Sequence, residues 1–131
     1  MTTLAKPKVL VARPIFPEGI ERLRAIATVD YNDQIAALSP AELTQRLADV
    51  DGALVTGSEK IDQNTLSQAG RLKVVSNIAV GFNNFDISAL TQKKVMATNT
   101  PEVLTDTTAD MGFLLMMAAA RRLSESERWL R

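Results

Sequence analysis

Residues 72–97 read LKVVSNIAVGFNNFDISALTQKKVMA and hold a strand, a helix and a second strand in one stretch. Leu72 to Asn77 sets apolar residues in succession, the pattern of a strand with both faces covered. Ala79-Val80-Gly81 ends that strand, Asp86 opens a short helix through about Gln92, and Val95 to Ala97 forms the next strand. Two strands joined through one helix make a parallel crossover, which is right-handed as a rule.

The same alternation extends toward the N-terminus. Lys8 to Ala12 is the first strand, and a helix from Pro17 to about Ala27 follows with Ile20, Leu23 and Ile26 near one face. Val29 to Tyr31 is a short second strand. Ser39-Pro40-Ala41-Glu42 has the form of a capping box with proline at the first helical position, and Leu43, Leu47 and Val50 form the buried stripe of that helix. Gly52 to Val55 is the third strand, and Asp62 caps a predicted helix ending at Gly70. The reading is therefore α/β: a five-stranded parallel sheet with helices on both faces, flavodoxin-like in strand order by analogy with other sheets of this rhythm.

From Thr105 to Leu130 the pattern changes to one long C-terminal helix, apolar nearly all round in its first half and charged in its second, RRLSESERWLR. A helix apolar on all sides expects neighbours on more than one side. The division expected is a domain over residues 1–104 and a long helix over 105–131, with a second copy of the chain or a further part of a longer protein against that helix. A homodimer through the helix is the expectation.

Composition narrows the function. Fifteen basic and fifteen acidic residues cancel, so no polyanionic partner is expected, neither nucleic acid nor an anionic membrane. Cysteine is absent, which removes disulfides and thiolate chemistry and agrees with a cytoplasmic setting. Histidine is absent as well, so imidazole proton transfer must come from elsewhere and no metal site is expected. The start, MTTLAKPKVLVARP, does not resemble a signal peptide, and the apolar run from Met111 to Ala120 is about half a bilayer span.

Ligands of open parallel sheets sit beyond the C-terminal strand ends, where two loops are distinctive. In AVGFNNFD, Val80 and Gly81 can turn backbone N–H groups toward a carboxylate, and glycine at 81 permits a positive φ. The same residues also read as a plain strand-to-helix turn, with Asp86 as cap and Phe82 and Phe85 in the core. In TNTPEVLTDTTAD, Pro101 stops the fifth strand and Leu104 faces the cleft. Thr105, Thr107, Thr108 and Asp110 crowd the helix start, either as caps of free N–H groups or as hydroxyls for a ligand. Thr56-Gly57-Ser58 lines the cleft or is an ordinary turn.

The six glycines, at 19, 52, 57, 70, 81 and 112, write no G-x-G-x-x-G, and no Walker sequence is present. VARP and VTGS, which end the first and third strands, lack the acidic cluster of a response-regulator receiver and the phosphate loop of a flavodoxin.

SNIAVGFNNFD at 76–86 and VMATNTPEVLTDTTADMGFLLMMAAARR at 95–122 together resemble the D-isomer-specific 2-hydroxyacid dehydrogenase family, in its glyoxylate, hydroxypyruvate and 2-ketogluconate reductase branch. The resemblance runs from Leu72 to Arg122. It implies the substrate-domain part of an enzyme that reduces small 2-keto acids with NADPH or NADH. Val80 and Gly81 then match a backbone clamp for the substrate carboxylate, Leu104 a pocket wall, and Thr108 a threonine near the cofactor. The catalytic arginine, glutamate and histidine of the family have no counterpart in these residues, so the 131-residue chain is expected to be inactive alone. Dinucleotide-sensing corepressors resemble the same family, which keeps a regulatory binding module as the alternative.

Overall fold

The computed structural model describes residues 5–131; the first four residues of the stretch read as unlike a signal peptide lie outside them. The chain forms two units, divided between Thr100 and Pro101. The first holds five strands: β1 (Lys8–Val11), β2 (Thr28–Tyr31), β3 (Gly52–Thr56), β4 (Val74–Ile78) and β5 (Met96–Thr98). All neighbours are parallel, in the order β2-β1-β3-β4-β5. This is the flavodoxin-like order expected of the sequence. Three helices join the strands: α1 (Pro17–Ile26), α2 (Pro40–Leu47) and α3 (Ile87–Lys93).

Strand order decides which face each helix covers. The chain steps one way along the sheet from β1 to β2 and the other way from β2 to β3 and onward, so right-handed crossovers set α1 on one face and α2 and α3 on the other. Burial agrees. Leu10 of β1, Ala12 just beyond it, Ala53 and Val55 of β3 and Val75 of β4 share a core cluster with Leu43, Leu47, Val50, Ala89 and Leu90. Val11, Ile20 and Ala27 are also buried but lie outside that cluster, as the alternation of side chains along β1 requires. Burying each leucine is worth roughly 1.5–3 kcal/mol.

Local chemistry sets the helix starts. Ser39 Oγ accepts the Glu42 N–H at 3.3 Å while Glu42 Oε2 accepts the Ser39 N–H at 2.8 Å, completing the capping box. Asp86 accepts the Ala89 N–H at 2.9 Å and caps α3.

Two expectations need correction. Residues 62–69 form consecutive turns instead of an α-helix. Asp62 Oδ1 takes the N–H groups of Asn64 and Thr65 at 2.9 and 3.0 Å; a single i−4 bond, Leu66 to Asp62, follows, and then Ser67 to Asn64 and Ala69 to Leu66 are of the tighter i−3 kind. Asn64, Thr65 and Ser67 offer the backbone side-chain partners that compete with a helix. Ile26 is exposed, since α1 ends there and the buried position passes to Ala27.

The second unit, Pro101–Arg131, carries the predicted helical tract as α4 (Thr105–Ala120) and α5 (Leu123–Leu130). They are separated at Arg121 and Arg122, the latter in the left-handed region with φ of 48°. No residue of either helix is buried, and Met111, Phe113, Leu114, Leu115, Met116 and Met117 are all exposed. Among the described residues, no helix is long and apolar enough to cross a membrane.

Candidate functional site

Five loops leave the C-terminal edge of the sheet, and polar side chains hold them together. After β1, Arg13 Nε donates to Glu59 Oε1 at 2.9 Å, and its guanidinium also donates to the Ile35 carbonyl. Glu59 is 2% exposed; its Oε2 accepts both the N–H and the hydroxyl of Thr56 at 2.8 Å. A buried carboxylate is tolerable only when paired and hydrogen-bonded in this way. Asn84 Nδ2 donates to the Thr56 and Glu59 carbonyls at 3.1 and 2.9 Å, fastening the loop after β3 to the loop after β4. A Cβ placed on Gly57 would lie 3.8 Å from that of Ala79, so the two loops touch.

The loop after β4 contains Val80 and Gly81, both exposed. Three successive carbonyls of this loop are tied: Ala79 to the Thr100 N–H at 3.0 Å, Val80 to Asn99 Nδ2 at 2.7 Å, and Gly81 to Asn77 Nδ2 at 3.0 Å. The N–H groups of Val80 and Gly81 have no hydrogen-bond partner among the described residues. Two adjacent backbone N–H groups without a partner among the described residues, on exposed residues beyond the end of a parallel strand, are the kind of donors a small oxyanion needs. The turn reading holds at the same time, since Asp86 is the cap and Phe85 is buried, whereas Phe82 is exposed.

The reason given for Gly81 needs correction. No glycine has positive φ among the described residues, and a Cβ at 81 would meet only Asn83 Oδ1 at an ordinary 3.5 Å. The fold itself does not demand glycine there.

In the second unit, Leu104 is exposed and stands at the N-cap of α4, with no side-chain cap bond. The threonines do not cap. Thr107 Oγ1 donates to the Leu104 carbonyl at 3.1 Å, and the Thr108 N–H reaches the same carbonyl at 2.9 Å, leaving the Thr108 hydroxyl without a partner among the described residues. The acidic residue in the first turn is Asp106, while Asp110 lies too far along to serve the helix end.

Sequence reasoning missed Arg13, Glu59, Asn77, Asn84 and Asn99. Asn77 carried the one available signal, a polar residue inside an apolar strand, and it is 2% exposed with its Oδ1 unpartnered among the described residues. A separate hollow of about 510 Å³ between α2 and the loop at 58–65 is lined by Leu43, Thr44, Glu59, Asp62 and Thr65. Its one buried charge, Glu59, already has partners on both oxygens. Among the described residues no cluster of three metal-ligating side chains occurs.

Residues 9–125 match the family model of the D-isomer specific 2-hydroxyacid dehydrogenase, catalytic domain. The chain belongs to this family. It is 43% identical over 126 residues to a glyoxylate reductase of Thermococcus onnurineus, covering 96% of this chain and 38% of that protein. A glyoxylate reductase of Aeropyrum pernix is 36% identical over 128 residues, with 98% and 38% covered. Among solved structures, the TT0316 protein of Thermus thermophilus superposes with a TM-score of 0.81 at 33% identity, covering 95% of this chain and 40% of that one. An NADPH-dependent glyoxylate/hydroxypyruvate reductase from Sinorhizobium meliloti, solved with NADP and malonate, gives 0.73 at 30% identity, with 97% and 38% covered. The chain thus spans about two-fifths of the length of the family members it matches.

Proposed function

We propose that this chain is the substrate-gripping part of an NAD(P)-dependent reductase of small 2-keto acids, with glyoxylate, hydroxypyruvate and 2-ketogluconate as the candidate substrates. The observation that carries the reading is the pair of N–H groups without a partner among the described residues on the exposed Val80 and Gly81, set at the C-terminal edge of the sheet in a member of this family. Malonate, present in the Sinorhizobium meliloti reductase, is itself a small carboxylate. A carboxylate held by two backbone donors is fixed in orientation as well as place, which is what positioning a keto carbon for attack requires.

The dinucleotide does not fit these residues as a main site. Six scattered glycines build no pyrophosphate cradle, and the Thr108 hydroxyl, without a partner among the described residues, is the one contact that the resemblance assigns to the cofactor. Reduction and proton transfer would fall to groups outside the 131 residues, which contain no histidine.

The test is an assay of the full-length protein containing this chain, following the loss of reduced-nicotinamide absorbance with each of the three acids and either cofactor. Turnover of at least one acid is expected, and none from the 131-residue chain alone. A folded full-length protein that reduces none of them would sink the proposal.

A further inference from the structure

A trans peptide group is planar, so a carbonyl and the N–H of the next residue point in opposite directions. Whatever holds the carbonyl therefore aims the following N–H. The Thr100 N–H, through the Ala79 carbonyl, aims the N–H of Val80; Asn99 Nδ2, through the Val80 carbonyl, aims the N–H of Gly81. Asn77, through the Gly81 carbonyl, closes the turn behind them. The three holds differ in kind. Thr100 acts through backbone and Asn77 is buried in β4, but Asn99 is a half-exposed side chain beyond β5 whose one hydrogen bond among the described residues is to Val80, at 2.7 Å.

We propose that Asn99 is a positioning residue that pre-orients the Gly81 N–H toward a bound carboxylate, and this rests on the clamp reading of Val80 and Gly81. Without the Asn99 carboxamide, the Val80–Gly81 peptide plane is free to turn, because glycine on its C-terminal side imposes little restraint on it. The ligand would then have to order that plane on binding, and affinity falls. Val80 keeps its aim, since its plane is fixed by backbone. The effect is therefore specific to one of two adjacent amides, which a purely structural role would not produce.

The experiment is a ¹H–¹⁵N titration of the 131-residue chain with glyoxylate, with chloride as the control for general anion effects. In the unaltered chain the Val80 and Gly81 signals should move saturably with glyoxylate alone. Asn99→Ala and Asn99→Leu, the second keeping the approximate bulk but removing the donor without adding charge, should weaken glyoxylate by about tenfold or more, the loss of one hydrogen bond to a charged group. The Gly81 response should shrink while that of Val80 persists. Binding within about twofold of the unaltered chain, with the Gly81 response intact, would overturn the proposal. So would displaced signals at Leu10, Val55 and Val75 in both variants, which would assign Asn99 to the fold alone. An unaltered chain whose Val80 and Gly81 amides ignore glyoxylate would instead remove the clamp reading, and this inference with it.

Discussion

Arg13 and Glu59, 46 residues apart in sequence, meet at 2.9 Å where the loops after β1 and β3 adjoin, with the Glu59 side chain wholly buried. Removing the guanidinium leaves that carboxylate with only the Thr56 N–H and hydroxyl. Arg13→Ala should cost about 3–5 kcal/mol, as losing one member of a buried pair does. Urea unfolding checks this, and a loss below about 1 kcal/mol would place the pair with ordinary surface bridges.

Gly81→Ala separates stability from function. The site has room for a Cβ and no positive φ, so the chain should unfold within about 1 kcal/mol of the parent, on either side. In the full-length protein the methyl would stand beside the carboxylate, and kcat/KM for the keto acid should fall on the order of a hundredfold. Unchanged keto-acid kinetics in a folded variant would leave Gly81 as a turn residue.

The exposed apolar surface of α4 leads to an expectation about assembly. Leu115 and Met116 are 60% and 65% exposed, in a helix with no buried residue. A contiguous apolar surface of this kind is covered in water when a partner is available. Light scattering of the 131-residue chain at high concentration should give a dimer or larger species, and Leu115→Lys with Met116→Lys should return it toward monomer. A monomer at every concentration would defeat the expectation.

Acid should destabilise the first unit. Asp51 accepts the Lys8 N–H at 3.0 Å, which with the Arg71 and Lys73 charges holds its carboxyl below the usual range. Asp49 is lowered by its hydrogen bond to the Lys8 ammonium, and Asp62 by the Thr65 N–H. A carboxylate whose folded pKa is depressed stabilises the fold above its unfolded value, near about pH 4, and that share is lost as pH falls through the folded value. Urea midpoints should hold from neutral pH to about 5 and drop below about 4. Asp51→Asn should make the acid limb shallower; an unchanged limb would exclude Asp51 as a contributor.

What the sequence determined by itself was local or periodic. The Ser39–Glu42 capping box, the Asp86 cap and the Leu43, Leu47 stripe involve residues a few positions apart, and each is present as read, whereas Val50 is buried beyond the end of α2 and not on it. The alternation of strands and helices was legible, while the strand order rested on analogy with other sheets of this rhythm and agrees with the order found. At 62–69 the same local reasoning failed, since a capping aspartate followed by Asn64, Thr65 and Ser67 supports turns as well as a helix. Only the tertiary structure decided the polar framework of the site. Asn99 lies 19 residues from Val80, Asn84 lies 28 from Thr56, and Glu59 lies 46 from Arg13. No periodicity links such positions. A carboxamide or a carboxylate takes its meaning from the group that parallel strand pairing brings within about 3 Å of it, and that distance exists only after the sheet has formed.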